Sequence, residues 1–177
     1  MSEWLISGAK RDKQSVSDDW MPTGQRLIDG VRVREIRSVI TGYGVLTEIY
    51  RADWRLDDRA VGQAFQAVLN PGAISAWHAH EATTDRLFVS CGLIHIVLFD
   101  ARTDSPTHGL INHFRFGTAR PAIVSVPPRV WHGIQSLSPE PSTLINIVDA
   151  AYNYADPDHW RVPFDSPHIP YRFSTPD

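Results

Sequence analysis

No stretch of this chain carries a sustained helical period, and that constrains its fold more than any other feature. Its residues alternate with a period of two, or gather into short apolar runs closed by Gly and Pro. Val31, Val33 and Glu35 alternate with Arg32, Arg34 and Ile36, the pattern of a half-buried strand. Gly42-Tyr43-Gly44 signals a turn into a β-rich segment over 45–50, and further strand-like runs cover 64–69, 87–90, 93–99, 123–126 and 144–148. Asn70-Pro71-Gly72, Cys91-Gly92 and Val126-Pro127-Pro128 punctuate them, and one more turn falls near 53–60. Many short strands between such turns predict an all-β sandwich or barrel. At 177 residues the chain suits one domain with a real core. Residues 1–25, ending near the break Met21-Pro22-Thr23-Gly24, read as an N-terminal arm, 26–150 as the barrel, and 151–177 as a wrapping tail rich in Tyr, Asp and Pro.

Composition removes several function classes. The formal net charge is −3, so there is no basic footprint for nucleic acid. Of 17 cationic residues only Lys10 and Lys13 are lysines. No lysine beyond residue 13 can form a Schiff base or hold a phosphate, which excludes P-loop kinases and pyridoxal-phosphate enzymes. The single cysteine, Cys91, excludes a disulfide framework. It sits in the apolar run 87–99 and reads as a buried, inert thiol. That run, interrupted by Ser90 and His95, is too short to span a bilayer. Glu3 and the lack of a long apolar core argue against a signal peptide, so the expectation is a soluble cytoplasmic protein with no nucleic-acid or membrane partner.

Eight histidines are many for this length. His78 and His80 lie two apart on a strand pattern and project to one side. Asp85 falls on the returning strand, and His132 follows the turn at Pro127-Pro128. Two histidines on one face, a carboxylate and a third histidine suit a divalent Fe, Mn, Ni or Zn site. They equally suit a proton-transfer site, with Asp85 either a ligand or the partner of a histidine. Trp77 and Trp131 flank the histidines as expected pocket walls, and His95 is structural or pocket-lining. His108, His113, His159 and His168 read as solvated or loop-stabilising.

The spacing Gly72, His78-x-His80, Asp85, Gly92 resembles the first cupin motif, with Asp where that motif usually has Glu. Pro127 through His132 is similar to the second, with Arg129 replacing the usual Gly and Ser136 where Asn is common. A narrower resemblance is to the dTDP-4-dehydrorhamnose 3,5-epimerases. Asp100-Ala-Arg102-Thr-Asp-Ser105-Pro106-Thr107-His108-Gly109 resembles their D-x-R-x-x-S-P-T-x-G segment. Tyr43-Gly44-Val-Leu-Thr-Glu48 is similar to their R-G-x-x-x-E, Trp131-His132-Gly133 to their A-H-G-F, and the tail from Tyr152 to Tyr171 to their closing region. Trp77-His78-Ala79-His80 resembles instead the paired histidines of the sister dTDP-4-keto-6-deoxyglucose 3,4-ketoisomerases.

These resemblances, over about residues 31–171, imply a double-stranded β-helix (cupin, jelly-roll barrel) with N- and C-terminal arms. They imply a homodimer built through exchanged N-terminal strands or arms. The implied activity is isomerisation or epimerisation of a nucleotide-linked 4-keto-6-deoxy sugar in surface-polysaccharide synthesis, with no cofactor. His78 takes the position of the general base, His80 that of its partner, and Asp165 or Asp85 that of the orienting carboxylate; Asp165 could instead cap the turn before Pro167. Glu48, Arg51, Asp85, Arg86, Arg102, His132, Asn146 and Tyr152 fall at substrate-binding positions, with Arg51, Arg102 and Arg120 candidates for a diphosphate clamp. Tyr152 and Tyr154 could stack on a thymine ring or hold the tail. The chain departs from the epimerase pattern in having Ser75 for an arginine, no barrel lysine, and Asn146 near the catalytic tyrosine's position. The other reading of the residues is a metal-dependent cupin using His78, His80, Asp85 and His132, or a non-catalytic sugar-binding cupin.

Overall fold

The computed structural model describes residues 4–18 and 22–174; Glu3 and Met21, used above, lie outside the described residues. Among the described residues the strands are β1 (Arg32–Glu35), β2 (Ser38–Thr41), β3 (Gly44–Thr47), β4 (Gln63–Leu69), β5 (Ile74–Ala79) and β6 (Asp85–Cys91). They continue as β7 (Leu93–Phe99), β8 (Ile111–Gly117), β9 (Ala122–Val126), β10 (Trp131–Ser136), β11 (Ser142–Val148) and β12 (Trp160–Arg161). A 3₁₀ turn, Ala52–Trp54, begins at the turn expected near 53–60. No helix among the described residues is long and apolar enough to cross a membrane.

The strands form two five-stranded sheets, ordered β1-β9-β6-β11-β4 and β12-β5-β10-β7-β8, with β2-β3 as a separate hairpin. Every pairing is antiparallel. Facing sheets that interleave in this order make the expected jelly-roll barrel. Its turns use the predicted glycines. Gly92, between β6 and β7, has φ +75° and sits where a Cβ would lie 2.3 Å from Ser142 Oγ, so the turn needs both the conformation and the missing side chain.

The long apolar run has a simple cause. Ile94, Ile96 and Leu98 of β7 point between the sheets, into a core shared with Leu87, Val89, Val124 and Val126. Their neighbours Val97 and Phe99 point outward, where Trp77, Ile169 and Phe173 bury them. Both faces of the strand are covered, so alternation disappears from its sequence. The second cover is the C-terminal tail. It also pairs as a strand, with Trp160 opposite Ala79 and Arg161 opposite His78.

Two expectations fail here for related reasons. Trp77 is fully buried on the outer face of β5, edge-on to Tyr171 and tilted against Phe173, and Trp131 packs with the same cluster. Neither is a wall of the histidine cavity, because residues adjacent on a strand face opposite ways. Cys91 ends β6 at the sheet rim and is exposed, not buried. Strand β8 escaped the sequence reading because its inward residues include polar Asn112. That side chain is fully buried, accepting from Ile28 N at 2.8 Å and donating to Arg26 O at 2.8 Å.

Candidate active site

A cavity of about 840 Å³ opens between the sheets. One wall carries Ser75 and His78 from β5, His132 and Ile134 from β10, and Arg161 from β12. The facing wall carries Gln63, Phe65 and Ala67 from β4, Asp85 and Leu87 from β6, and Leu144 and Asn146 from β11. Residues 54 apart in sequence meet because His132 stands opposite His78 in the β10–β5 register. Their rings are 5.0 Å apart. His80, just past the end of β5, lies 5.7 Å from the His132 ring.

The two strand histidines have different fates. His80 Nδ1 donates to the backbone carbonyl of Asp158, and its Nε2 lies 3.3 Å from Asp85 Oδ2. His132 is bound in the same way: Nδ1 donates to Val130 O at 3.2 Å and Nε2 lies 3.5 Å from the same Asp85 oxygen. Asp85 Oδ1 accepts from Asn146 Nδ2 at 2.6 Å. Because a carbonyl only accepts, both Nδ1 atoms carry hydrogens, and both Nε2 atoms turn toward one carboxylate oxygen. That arrangement calls for a positive charge between them, either a proton or a cation. The donor atoms of His80, Asp85 and His132 all lie within 4.8 Å of one another, a set that fits a divalent ion. His78, the fourth ligand in the metal reading, is not part of this set.

His78 is left free. It is buried, and its Nδ1 has no hydrogen-bond partner. Burial, then the neighbouring His132, His159 and Arg161, hold its imidazole far below the usual histidine range, so the ring is neutral at physiological pH. His78 lines the cavity, and a buried neutral imidazole with an unused nitrogen can accept a proton from a bound molecule.

The other residues singled out from the sequence divide cleanly. Asp85, His132, Asn146 and Tyr152 line the cavity, although His132 has both ring nitrogens engaged and is not free to bind a carbonyl. Asp165 is exposed and makes no hydrogen bond to His78, because the chain turns away there to bury Ser166 and Ile169. Arg86 is fully buried outside the cavity, its guanidinium paired with Asp57 and donating to Arg59 O. Arg51 pairs with Glu48 and Asp53 on the surface, and Arg120 pairs with Glu35. Arg102 closes the loop after β7: Asp100 accepts from Arg102, Ser105 and Thr107 together. None of Glu48, Arg51, Arg86, Arg102 or Arg120 lines the cavity, so none is a clamp within this chain.

Sequence reasoning missed the tail's contribution. His159 enters the cavity with ring centroids 5.4 Å from His78 and 5.0 Å from His80. Arg161 is the one Arg or Lys among the described residues that lines it. Asp158 fixes this strap: its carboxylate accepts from the backbone of Glu81, Ala82 and Thr83 and from the Thr83 hydroxyl, at 2.6 to 3.0 Å. The Asp-His-Trp-Arg string at 158–161, next to a strand pattern that needed an edge partner, was the available signal.

A jelly-roll barrel with a histidine-lined cavity between its sheets is a cupin. No family model matches the chain. It is 34% identical, over 139 residues, to the probable low-salt glycan biosynthesis epimerase of Haloferax volcanii, covering 78% of this chain and 89% of that protein. It is also 34% identical, over 149 residues, to the spore coat polysaccharide biosynthesis protein SpsL of Bacillus subtilis, covering 84% and 98%. Among solved structures it is similar to a dTDP sugar isomerase from Desulfovibrio desulfuricans, with TM-score 0.76 and 27% identity over 81% of this chain and 90% of that one. The fold is shared with the dTDP-4-dehydrorhamnose 3,5-epimerase of Bacillus anthracis, at TM-score 0.73 and 20% identity over 84% and 87%. The chain belongs to the dTDP-sugar epimerase and isomerase family of cupins, and it is an isomerase or epimerase.

Proposed function

We propose that this enzyme isomerises or epimerises a dTDP-linked 4-keto-6-deoxy sugar through an enediol or enediolate, making a precursor of a surface polysaccharide. The observation that carries this is the unpartnered, buried Nδ1 of His78 at the cavity wall. A carbonyl at C4 acidifies the C3 hydrogen, and a neutral imidazole removes it. Arg161, opposite His78 in the strand register, supplies positive charge for the oxygen on which the electron pair collects. His80, Asp85 and His132 form the fixed polar wall behind the reacting atoms, and Tyr152 with Tyr154, rings 5.3 Å apart, offers an aromatic surface for the nucleotide base. The reaction so written needs no cofactor. Incubation with dTDP-4-keto-6-deoxyglucose in D₂O tests it: deuterium at C3 alone favours ketoisomerisation, at C3 and C5 epimerisation, and no exchange at any carbon contradicts both.

The convergence of His80, Asp85 and His132 favours a second reading, in which those three residues hold a divalent Fe, Mn, Ni or Zn ion that would polarise the substrate carbonyl. Elemental analysis of the purified protein and of an Asp85→Asn variant separates the two. We further propose a cytoplasmic homodimer. Val39, Ile40, Tyr43, Val45 and Leu46 of the β2–β3 hairpin are exposed, as is Val68 on the edge strand β4, an apolar surface suited to a second copy. Light scattering on the Ile40→Asp variant reads this directly, since loss of the dimer is expected.

A further inference from the structure

Among the described residues, two buried side-chain nitrogens lack a hydrogen-bond partner: His78 Nδ1 and His159 Nε2. Both belong to the same cavity, on perpendicular rings 5.4 Å apart. A buried nitrogen left unpaired is costly and is kept where a ligand or substrate completes it. His159 is anchored on both sides. Asp158 before it is tied to the 81–83 turn by four hydrogen bonds, and Trp160 and Arg161 after it pair with β5.

Among the described residues the facing wall offers no counterpart. Its one titratable side chain is Asp85, already engaged with Asn146 and the two other histidines. Tyr152 and Tyr154 are 48% and 87% exposed, and Glu81 and Asp156 are exposed too. The two histidines that carry an unengaged nitrogen therefore line the same side of the cavity. Inverting a carbon needs groups on both faces of the sugar, whereas moving a ketone to the neighbouring carbon needs them on one.

We propose that His159 is a second catalytic residue, relaying the oxygen-bound proton while His78 moves the carbon-bound one on the same face of the sugar; this rests on the function proposed above. His78 Nδ1 takes the C3 hydrogen, and the C–H electron pair becomes the C3–C4 double bond as the C4 carbonyl oxygen accepts the proton of His159 Nε2. His159 Nε2 then takes the proton of the C3 hydroxyl. The C3 oxygen closes to a carbonyl, and the double-bond electrons take the proton from His78 at C4. Both histidines return to their starting state, and the 4-ketone has become a 3-ketone with no net redox change. A neutral imidazole suffices for the relay, because it need only give and take a proton at one nitrogen between two adjacent oxygens.

The test is the His159→Gln variant with dTDP-4-keto-6-deoxyglucose in D₂O, following deuterium in recovered substrate and the appearance of 3-ketone by NMR. Glutamine keeps an N–H for the carbonyl oxygen but cannot pass a proton on. Wash-in at C3 is expected to stay within about tenfold of wild type while 3-ketone formation falls by about 10²-fold or more. A second variant, His159→Ala, is expected to lose both, with the melting temperature and dTDP binding of either variant unchanged. Equal loss of wash-in and turnover in His159→Gln, or wild-type turnover, overturns the assignment. Wild-type protein that exchanges C3 and C5 without forming a 3-ketone overturns the same-face relay and leaves the sugar-epimerising function standing. Wild-type protein that exchanges nothing overturns both.

Discussion

Replacing Asp158 with alanine removes the clasp that holds the tail over the cavity. Its carboxylate accepts four hydrogen bonds, from Glu81 N at 2.6 Å, Ala82 N at 2.9 Å, Thr83 N at 3.0 Å and Thr83 Oγ1 at 2.9 Å. Those interactions, opposed by burial, hold the carboxyl below the usual aspartate range. The 81–83 turn is partly exposed, so water re-solvates its donors and the net value is the modest one, about 0.5–1.5 kcal/mol per bond. Four such bonds give a loss of about 2–6 kcal/mol, and at about 2–4 °C per kcal/mol for a domain of this size the melting temperature falls by about 4–24 °C. Asp158→Asn can keep the oxygen that accepts three of the four bonds, and its loss is then about a quarter as large on the same arithmetic. Differential scanning calorimetry at neutral pH reads both. Turnover suffers beyond the stability change, because the Asp158 carbonyl also anchors His80, and His159 follows it directly. An Asp158→Ala protein that melts within about 1 °C of wild type would refute the view that this carboxylate holds the strap.

Asp57→Ala leaves the fully buried Arg86 guanidinium without its carboxylate, and a loss of about 3–5 kcal/mol is expected by chemical denaturation; unchanged stability contradicts the pairing. Acid lability begins early. Burial lowers the pKa values of His78, His132 and His159 and brings His95 down to about 4. The unfolded chain therefore binds more protons below pH ~6.5, so stability is full above that pH and declines as it falls toward 4. A melting temperature that stays flat down to the carboxylate range, or a His95→Phe variant with an unchanged slope between pH 6.5 and 4, contradicts this. Cys91, exposed at the rim of β6, is expected to react with a thiol reagent in the native state without loss of turnover, and failure to react contradicts its placement.

The barrel was readable because its strands alternate and its turns use Gly and Pro, and the site's position was readable because β5 places His78 on the inner face. The same alternation, applied one residue back, would have put Trp77 outside. The segment most specific to the family turned out to be structural: Asp100, Arg102, Ser105 and Thr107 bond mainly to one another, and Thr107 and Arg102 hold the backbone of Asp29. A recurrent motif can mark a loop that must close as readily as a residue that must react. Asp165 and His159 show what local pattern does not contain. Which tail carboxylate or histidine reaches the cavity depends on where the chain adds to β5, and only strand pairing decides that.

Removal of a carbon-bound proton by His78 is the central step of the proposed reaction. The most direct measurement is the rate of deuterium wash-in at C3 of dTDP-4-keto-6-deoxyglucose in D₂O, for wild type and for His78→Asn at equal folded concentration. The wild type is expected to exchange, and the variant to exchange about 10²–10⁴-fold more slowly with its fold and dTDP binding intact. Wash-in by His78→Asn at the wild-type rate would contradict the account.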